Sequence, residues 1–134
     1  MRLLRVVNTA RGRELGTRIR LADAWLSRLR GMLGRPAPAA GEGLLLTPCR
    51  SAHMYGMRFP LDIAFLDARR AVVAVYHSLP PGSRTRWHGV AVHALELPAG
   101  TLIRSGTVVG DVLAWADEPA DRDREIHRTM EAVS

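Results

Sequence analysis

Apolar residues recur along this chain in short bursts, mostly at the alternate spacing that puts every second side chain on one face of a strand. Residues 3–8 (LLRVVN) and 14–21 (ELGTRIRL) read as strands joined by TARGR; in the second, Leu15, Thr17, Ile19 and Leu21 share one face and Arg18 and Arg20 the other. Further strands are expected at 44–47, 51–57, 61–66, 71–77, 90–97 and 108–116. Within 61–66, Leu61, Ile63 and Phe65 form one face and Asp62 and Ala64 the other. DARR at 67–70 fits a tight hairpin turn, SLPPGSRTRWHG at 78–89 a longer exposed loop, and PAGTLIRSG at 98–106 a turn or short helical piece.

One stretch changes to helical spacing. Asp23 is placed to cap AWLSRLRGML, in which Trp25, Leu26, Leu29, Met32 and Leu33 form a stripe flanked by Arg28 and Arg30; Gly34 can end the helix. A Pro, Ala and Gly loop follows at 34–43. Many short strands with one helix predict a mainly β fold: a compact sandwich or partly closed barrel of short, mostly antiparallel strands with one short helix packed on it. The pattern assigns a single β-rich domain to 1–116 and a charged tail to 117–134, where Asp121 could cap a short helix.

Composition narrows the class. The 134 residues suffice for a real core, and a single cysteine excludes an internal disulfide and fits a reducing compartment. No apolar run reaches bilayer-spanning length, and the N-terminal MRLLRVVNTARGREL lacks the features of a secretory signal, so a cytoplasmic location is expected. The net charge is +6, and all 19 basic residues are arginine. Eleven of them fall in residues 1–60 against three acids, a bias that could attract phosphate or acidic partners. They are not interleaved with aromatics, no nucleic-acid-reading motif accompanies them, and a coding preference for Arg over Lys explains the bias more simply. Nucleic acid is therefore not the expected partner.

The segment CRSAHMYGMRFPLD at 49–62 carries Cys49, His53, Met54 and Met57, all metal-ligand types. In an extended chain Cys49, His53 and Met57 would stand roughly 13 Å apart in succession, far outside one coordination sphere. No metal and no cofactor are expected here. Ser51, His53 and Asp62 hold the letters of a hydrolytic triad, but there is no nucleophile elbow. Arg58-Phe59-Pro60 reads as a turn linking strand 51–57 to strand 61–66, with Met57 opposite Leu61 or Asp62 according to the turn's length.

Several of these pieces fall together in one family pattern. Arg28-Leu29-Arg30-Gly31-Met32, Gly43-Leu44-Leu45, Met57, Pro60-Leu61-Asp62-Ile63-Ala64-Phe65-Leu66-Asp67, Val72-Val73, Leu95-Glu96-Leu97-Pro98-Ala99-Gly100 and Gly110-Asp111 occur in order over residues 15–116. In this the chain resembles the bacterial and archaeal family called domain of unknown function 192. It departs where relatives often carry Trp-Met-Lys-Asn and this chain has Tyr55-Gly56-Met57-Arg58, and in lacking the export signal of many members. The resemblance implies a compact, mostly β fold with a short helix packed on it; it implies no activity.

The polar residues in the matched pattern are Arg28, Asp62, Glu96 and Asp111. Carboxylates within strands need a partner if buried, and Arg28 could bind one bidentately. Two readings follow: an ion-pair network locking helix to sheet, or a polar cleft with Arg28, Met57, Asp62, Glu96 and Asp111 as candidate ligand-binding residues. On the second reading the protein is first a non-enzymatic ligand-binding or accessory module, whose partner is a small polar ligand or another protein. The alternative is an enzyme using Asp62 or Glu96 as general base. In the 78–89 loop, Arg84, Arg86 and Trp87 are candidate partner contacts, unless Trp87 folds back on the core.

Overall fold

The computed structural model describes residues 2–22 and 36–118. Seven strands form one curled sheet: β1 (Leu3–Asn8), β2 (Arg13–Ala22), β3 (Glu42–Leu46), β4 (Leu61–Leu66), β5 (Val72–Leu79), β6 (His93–Pro98) and β7 (Leu113–Asp117). A short helix, α1 (Thr101–Ser105), follows β6. The spatial order is β5-β4-β6-β3-β2-β1-β7. β2 and β3 run parallel, and the other paired strands are antiparallel. The two edge strands approach at one end, where Ala71 bridges Val112, Val72 N–H donates to the Asp111 carbonyl (2.8 Å) and Leu113 N–H to the Arg70 carbonyl (2.9 Å). The sheet is thus a half-barrel pinned shut at one end, the mainly β architecture that the alternation predicts.

Alternation along each strand separates two apolar faces. The inner face gathers Leu4, Val6, Leu15, Ile19, Leu45, Ala64, Leu66, Leu95, Leu97 and Leu113, with Leu102 of α1 plugging it. The outer face of β3, β6, β4 and β5 carries Leu44, Leu46, Leu61, Ile63, Phe65 and Ala94; the loops on either side of β4–β5 cover it with Cys49, Met54 and Ala91. All six β4 side chains are therefore buried. At about 25 cal/mol per Å² of apolar surface, two covered faces make β4 and β6 the strands on which the fold most depends.

Three expectations change. Residues 51–57 form no strand, and β4 pairs with β5 and β6 rather than with them. Gly56 at φ 78 and the Met57 N–H donating to the Met54 carbonyl turn the chain there, and the segment's remaining backbone groups bond to the 82–88 loop. The strand expected at 90–97 starts only at His93, because Ala91 N–H closes a turn on the His88 carbonyl. The strand expected at 108–116 is confined to Leu113–Asp117, because residues 108–111 form a turn with Gly110 at φ 98. The helix expected over 23–34, with Arg28, lies outside the described residues, as does the tail beyond residue 118.

The closed end is held by a polar knot. Asp111 Oδ2 accepts hydrogen bonds from Arg11 Nε (2.7 Å), Asn8 Nδ2 (3.0 Å) and Val108 N–H (3.1 Å). Arg11's hydrogen bond, then Asn8's, then the Val108 N–H hold the Asp111 carboxyl down at about 2. Its folded value lies below the unfolded one, so its stabilising contribution is complete above about pH 4 and is lost as pH falls towards 2. In Asp111→Asn the dependence of urea midpoint on pH is expected to flatten between pH 4 and 2; a slope equal to wild type there would show that the knot plays no part in acid stability.

Candidate functional site

Asp62 stands on β4 opposite an irregularity in β5. Leu61 pairs with Leu79 and Ile63 with Tyr76, so two β5 residues face one of β4, a β-bulge. Ser78 takes φ 48 in this bulge and donates its N–H to Asp62 Oδ1 (2.8 Å). Oδ2 accepts the N–H of Leu102 in the first turn of α1 (2.9 Å). The residue is fully buried on the inner face, in register with Leu97. Asp62 therefore replaces missing backbone partners at a bulge and a helix start.

Glu96 lies on the other face. It pairs with Leu44 on one side and Ile63 on the other, both outer-face residues, and Ile63 in turn pairs with Tyr76. Glu96 keeps some accessible surface, but burial of its carboxyl pushes the pKa up to about 7. No described side chain hydrogen-bonds it. Met57 packs half-buried on this same outer face, while Asp111 sits at the closed end. Sequence reasoning placed Asp62 and Glu96 in one cleft; the sheet separates them, because Asp62 pairs with Leu97 and so Glu96 points the opposite way.

A different constellation forms above the outer face. Residues 50–54 and 82–88 run side by side, bridged at His53 and Arg84. Met54 N–H donates to the Ser83 carbonyl (2.7 Å), Gly82 N–H to Met54 (2.8 Å), Thr85 N–H to Ala52 (2.9 Å) and His88 N–H to Arg50 (2.8 Å). Thr85 turns inward and its hydroxyl accepts the Ala52 N–H, so Arg84 and Arg86 on either side of it project outward. Arg86 N–H donates to the Tyr76 hydroxyl (3.1 Å), which also lies 2.7 Å from His88 Nε2. Burial first, then the nearby Arg86 charge, lowers the His88 pKa, which favours a neutral ring whose Nε2 can accept a hydrogen bond from the Tyr76 O–H.

These two loops enclose an open groove of about 500 Å³ lined by Ser51, His53, Tyr55, Arg84, Arg86 and Trp87 among others. The rings of His53 and Tyr55 stack 4.8 Å apart at 24°. Trp87 is 69% exposed and Tyr55 51%, so Trp87 is not folded back on the core. Neither Arg84 nor Arg86 has a carboxylate partner among the described residues. Arg84, Arg86 and Trp87 are thus brought together with His53, which sequence reasoning weighed as a metal ligand and a triad member, and Tyr55, weighed as a departure from a motif. The alternation of Arg84 and Arg86 about Thr85 was the available signal; nothing in the spacing tied position 55 to position 87.

Cys49 and Met54 are in the core whereas His53 is exposed, so the four metal-ligand types do not converge. Among the described residues no group of three or more His, Cys, Asp or Glu side chains could hold a metal ion, and no helix is long and apolar enough to cross a membrane.

The chain is 28% identical over 122 residues to a UPF0127 protein of Thermococcus sibiricus, covering 84% of this chain and 75% of that one. A solved structure of a protein of unknown function from Novosphingobium aromaticivorans superposes with a TM-score of 0.70 at 25% identity, over 84% of this chain and 83% of the other. Another, from Sinorhizobium meliloti and described provisionally as a transcription regulator, gives 0.69 at 25% identity, over 84% and 91%. The model of the DUF192 family, described as Uncharacterized ACR, matches residues 6–115, and the chain belongs to that family.

Proposed function

We propose that this protein is a non-enzymatic binding or accessory module that takes an anionic ligand in the groove between residues 50–55 and 84–87. One observation carries the reading: two guanidinium groups without carboxylate partners among the described residues stand beside two exposed aromatic rings on a preorganised frame. Backbone hydrogen bonds hold both loops before any ligand arrives, which lowers the ordering cost of binding. The charge is uniform as well: residues 47–60 and 80–91 contain Arg50, Arg58, Arg84 and Arg86 and not one acid. The polar cleft expected around Asp62, Glu96 and Arg28 loses support, since Asp62 spends both oxygens on backbone N–H groups inside the half-barrel.

A thermal-shift series with citrate, sugar phosphates and nucleotides tests the reading. At least one of these probes is expected to raise the wild-type midpoint by several degrees at millimolar concentration and to leave an Arg84→Ala, Arg86→Ala double variant unmoved. No shift with any probe, or an equal shift in the double variant, would remove the groove from consideration.

One observation favours an enzyme instead: a half-buried carboxyl at about 7 is poised to take a proton at neutral pH. On that reading Glu96 is the general base. Glu96→Gln separates the two, because a binding module's affinity for its groove ligand should survive the substitution.

A further inference from the structure

We infer that the groove accepts a phosphorylated planar heterocycle, the unit of a nucleoside monophosphate, with the base against Trp87 and Tyr55 and the phosphate on Arg84 and Arg86. The inference rests on the anion-binding reading above and adds the ligand's second half.

The aromatic groups carry the addition. His53 and Tyr55 stack nearly parallel, at 24° and 4.8 Å between centroids, so the imidazole backs one face of the Tyr55 ring and helps to hold that ring in place. Tyr55 remains 51% exposed above that stack, and Trp87, 69% exposed, lines the same groove. Large rings left in water on a rigid frame lack the burial that ordinarily keeps them. A flat heterocycle supplies it, since every nucleobase has a π-face and stacking on aromatic side chains is tolerant of base identity. The groove of about 500 Å³ falls within the range of small-molecule sites and suits one such unit.

The cationic groups fix the other end. Arg84 and Arg86 are two residues apart with Thr85 turned inward, about 6–7 Å along an extended backbone, so both forks can reach one phosphate. The Tyr76 hydroxyl accepts the Arg86 N–H and so fixes the backbone from which that side chain projects. An acidic peptide would satisfy the arginines but leave the flat π-surface uncovered; a neutral aromatic would do the reverse. Only a ligand with a plane and an anion answers both features. The N-terminal arginines play no part here; Arg84, Arg86 and Trp87 share one loop, and His53 and Tyr55 join them from a segment some thirty positions away.

The free nucleotide and a nucleotide within a single strand share this chemistry. Isothermal titration of the full chain with AMP, UMP, ribose 5-phosphate and a six-residue oligonucleotide tells them apart. AMP and UMP are expected to bind roughly 5- to 100-fold more tightly than ribose 5-phosphate, the range that stacking on one base supplies. Trp87→Ala, at an exposed position, is expected to abolish that ratio while leaving ribose 5-phosphate affinity within about twofold. Arg84→Ala is expected to weaken all four probes. A hexamer at least tenfold tighter than UMP, with affinity falling steeply with salt, assigns the polymer as the source; equal affinity assigns the free nucleotide. Ribose 5-phosphate binding as tightly as AMP would overturn the base-stacking inference and leave anion binding intact. Binding by none of the phosphates, or binding indifferent to Arg84→Ala, would overturn both.

Discussion

Asp62→Ala is expected to lower the unfolding free energy by about 3–5 kcal/mol and the melting midpoint by more than about 10 °C. Alanine leaves the buried N–H of Leu102 with no acceptor and frees the N–H of Ser78, in the exposed bulge, to water. The orphan at Leu102 costs about 1–3 kcal/mol, loss of the Ser78 bond about 0.5–1.5 kcal/mol, and the vacated volume adds a cavity term. The damage should be local in a diagnostic way, because the same carboxyl ties the β5 bulge to the start of α1. Amide exchange at Ser78 and Leu102 is expected to accelerate well beyond that of Leu95 in the core. Asp62→Asn keeps one acceptor but turns a donor towards an N–H, so it should fall between wild type and alanine. An Asp62→Ala protein melting within about 2 °C of wild type would mean that the bulge and helix start find other partners.

The second large effect concerns pH. Burial raises Glu96 from its ordinary 4.5 to about 7, so between those values the native chain holds a proton that the unfolded chain has released. Folding is then favoured most below about pH 4.5, loses ground as pH rises to about 7, and is constant beyond. At about 1.4 kcal/mol per unit, the loss from this group is at most about 3.5 kcal/mol. In Glu96→Gln the unfolding free energy is expected to stay level from pH 4.5 to 7.5, while wild type declines. The two curves should therefore cross, with the variant less stable in acid, where its amide has no partner, and more stable at pH 8. Parallel curves would show that the carboxyl titrates in water rather than on an apolar sheet face.

Much of this architecture can be read from the chain because strand alternation is a local signal. Leu61, Ile63 and Phe65 against Asp62 and Ala64 predicts the faces of β4 correctly, and DARR at 67–70 predicts a turn whose Asp67 Oδ1 accepts the N–H groups of Arg69 and Ala71. The same alternation misleads at 51–57, where no period settles which groups pair; those backbone bonds go to residues some thirty positions away. The placement of Asp62 and Glu96 fails for a related reason. Both are in-strand carboxyls beside a leucine, and only register distinguishes them: Asp62 aligns with Leu97, which puts it inside and Glu96 outside. The cationic–aromatic groove was half legible. Its 84–87 arm is legible from charge and ring content, whereas nothing in the 53–55 arm, expected to be a strand, ties it to that loop.

The ribbon made by residues 50–54 and 82–88 is fastened mainly by peptide groups, with the side chains of Thr85, Tyr76 and His88 joining in. Such a scaffold is indifferent to what its outward positions carry. Replacing His53, Tyr55, Arg84 or Arg86 changes what is displayed without loosening the mount, as with interchangeable heads on one handle. On the binding reading, exchanging a few of these outward residues should change the ligand while leaving the melting midpoint near that of wild type.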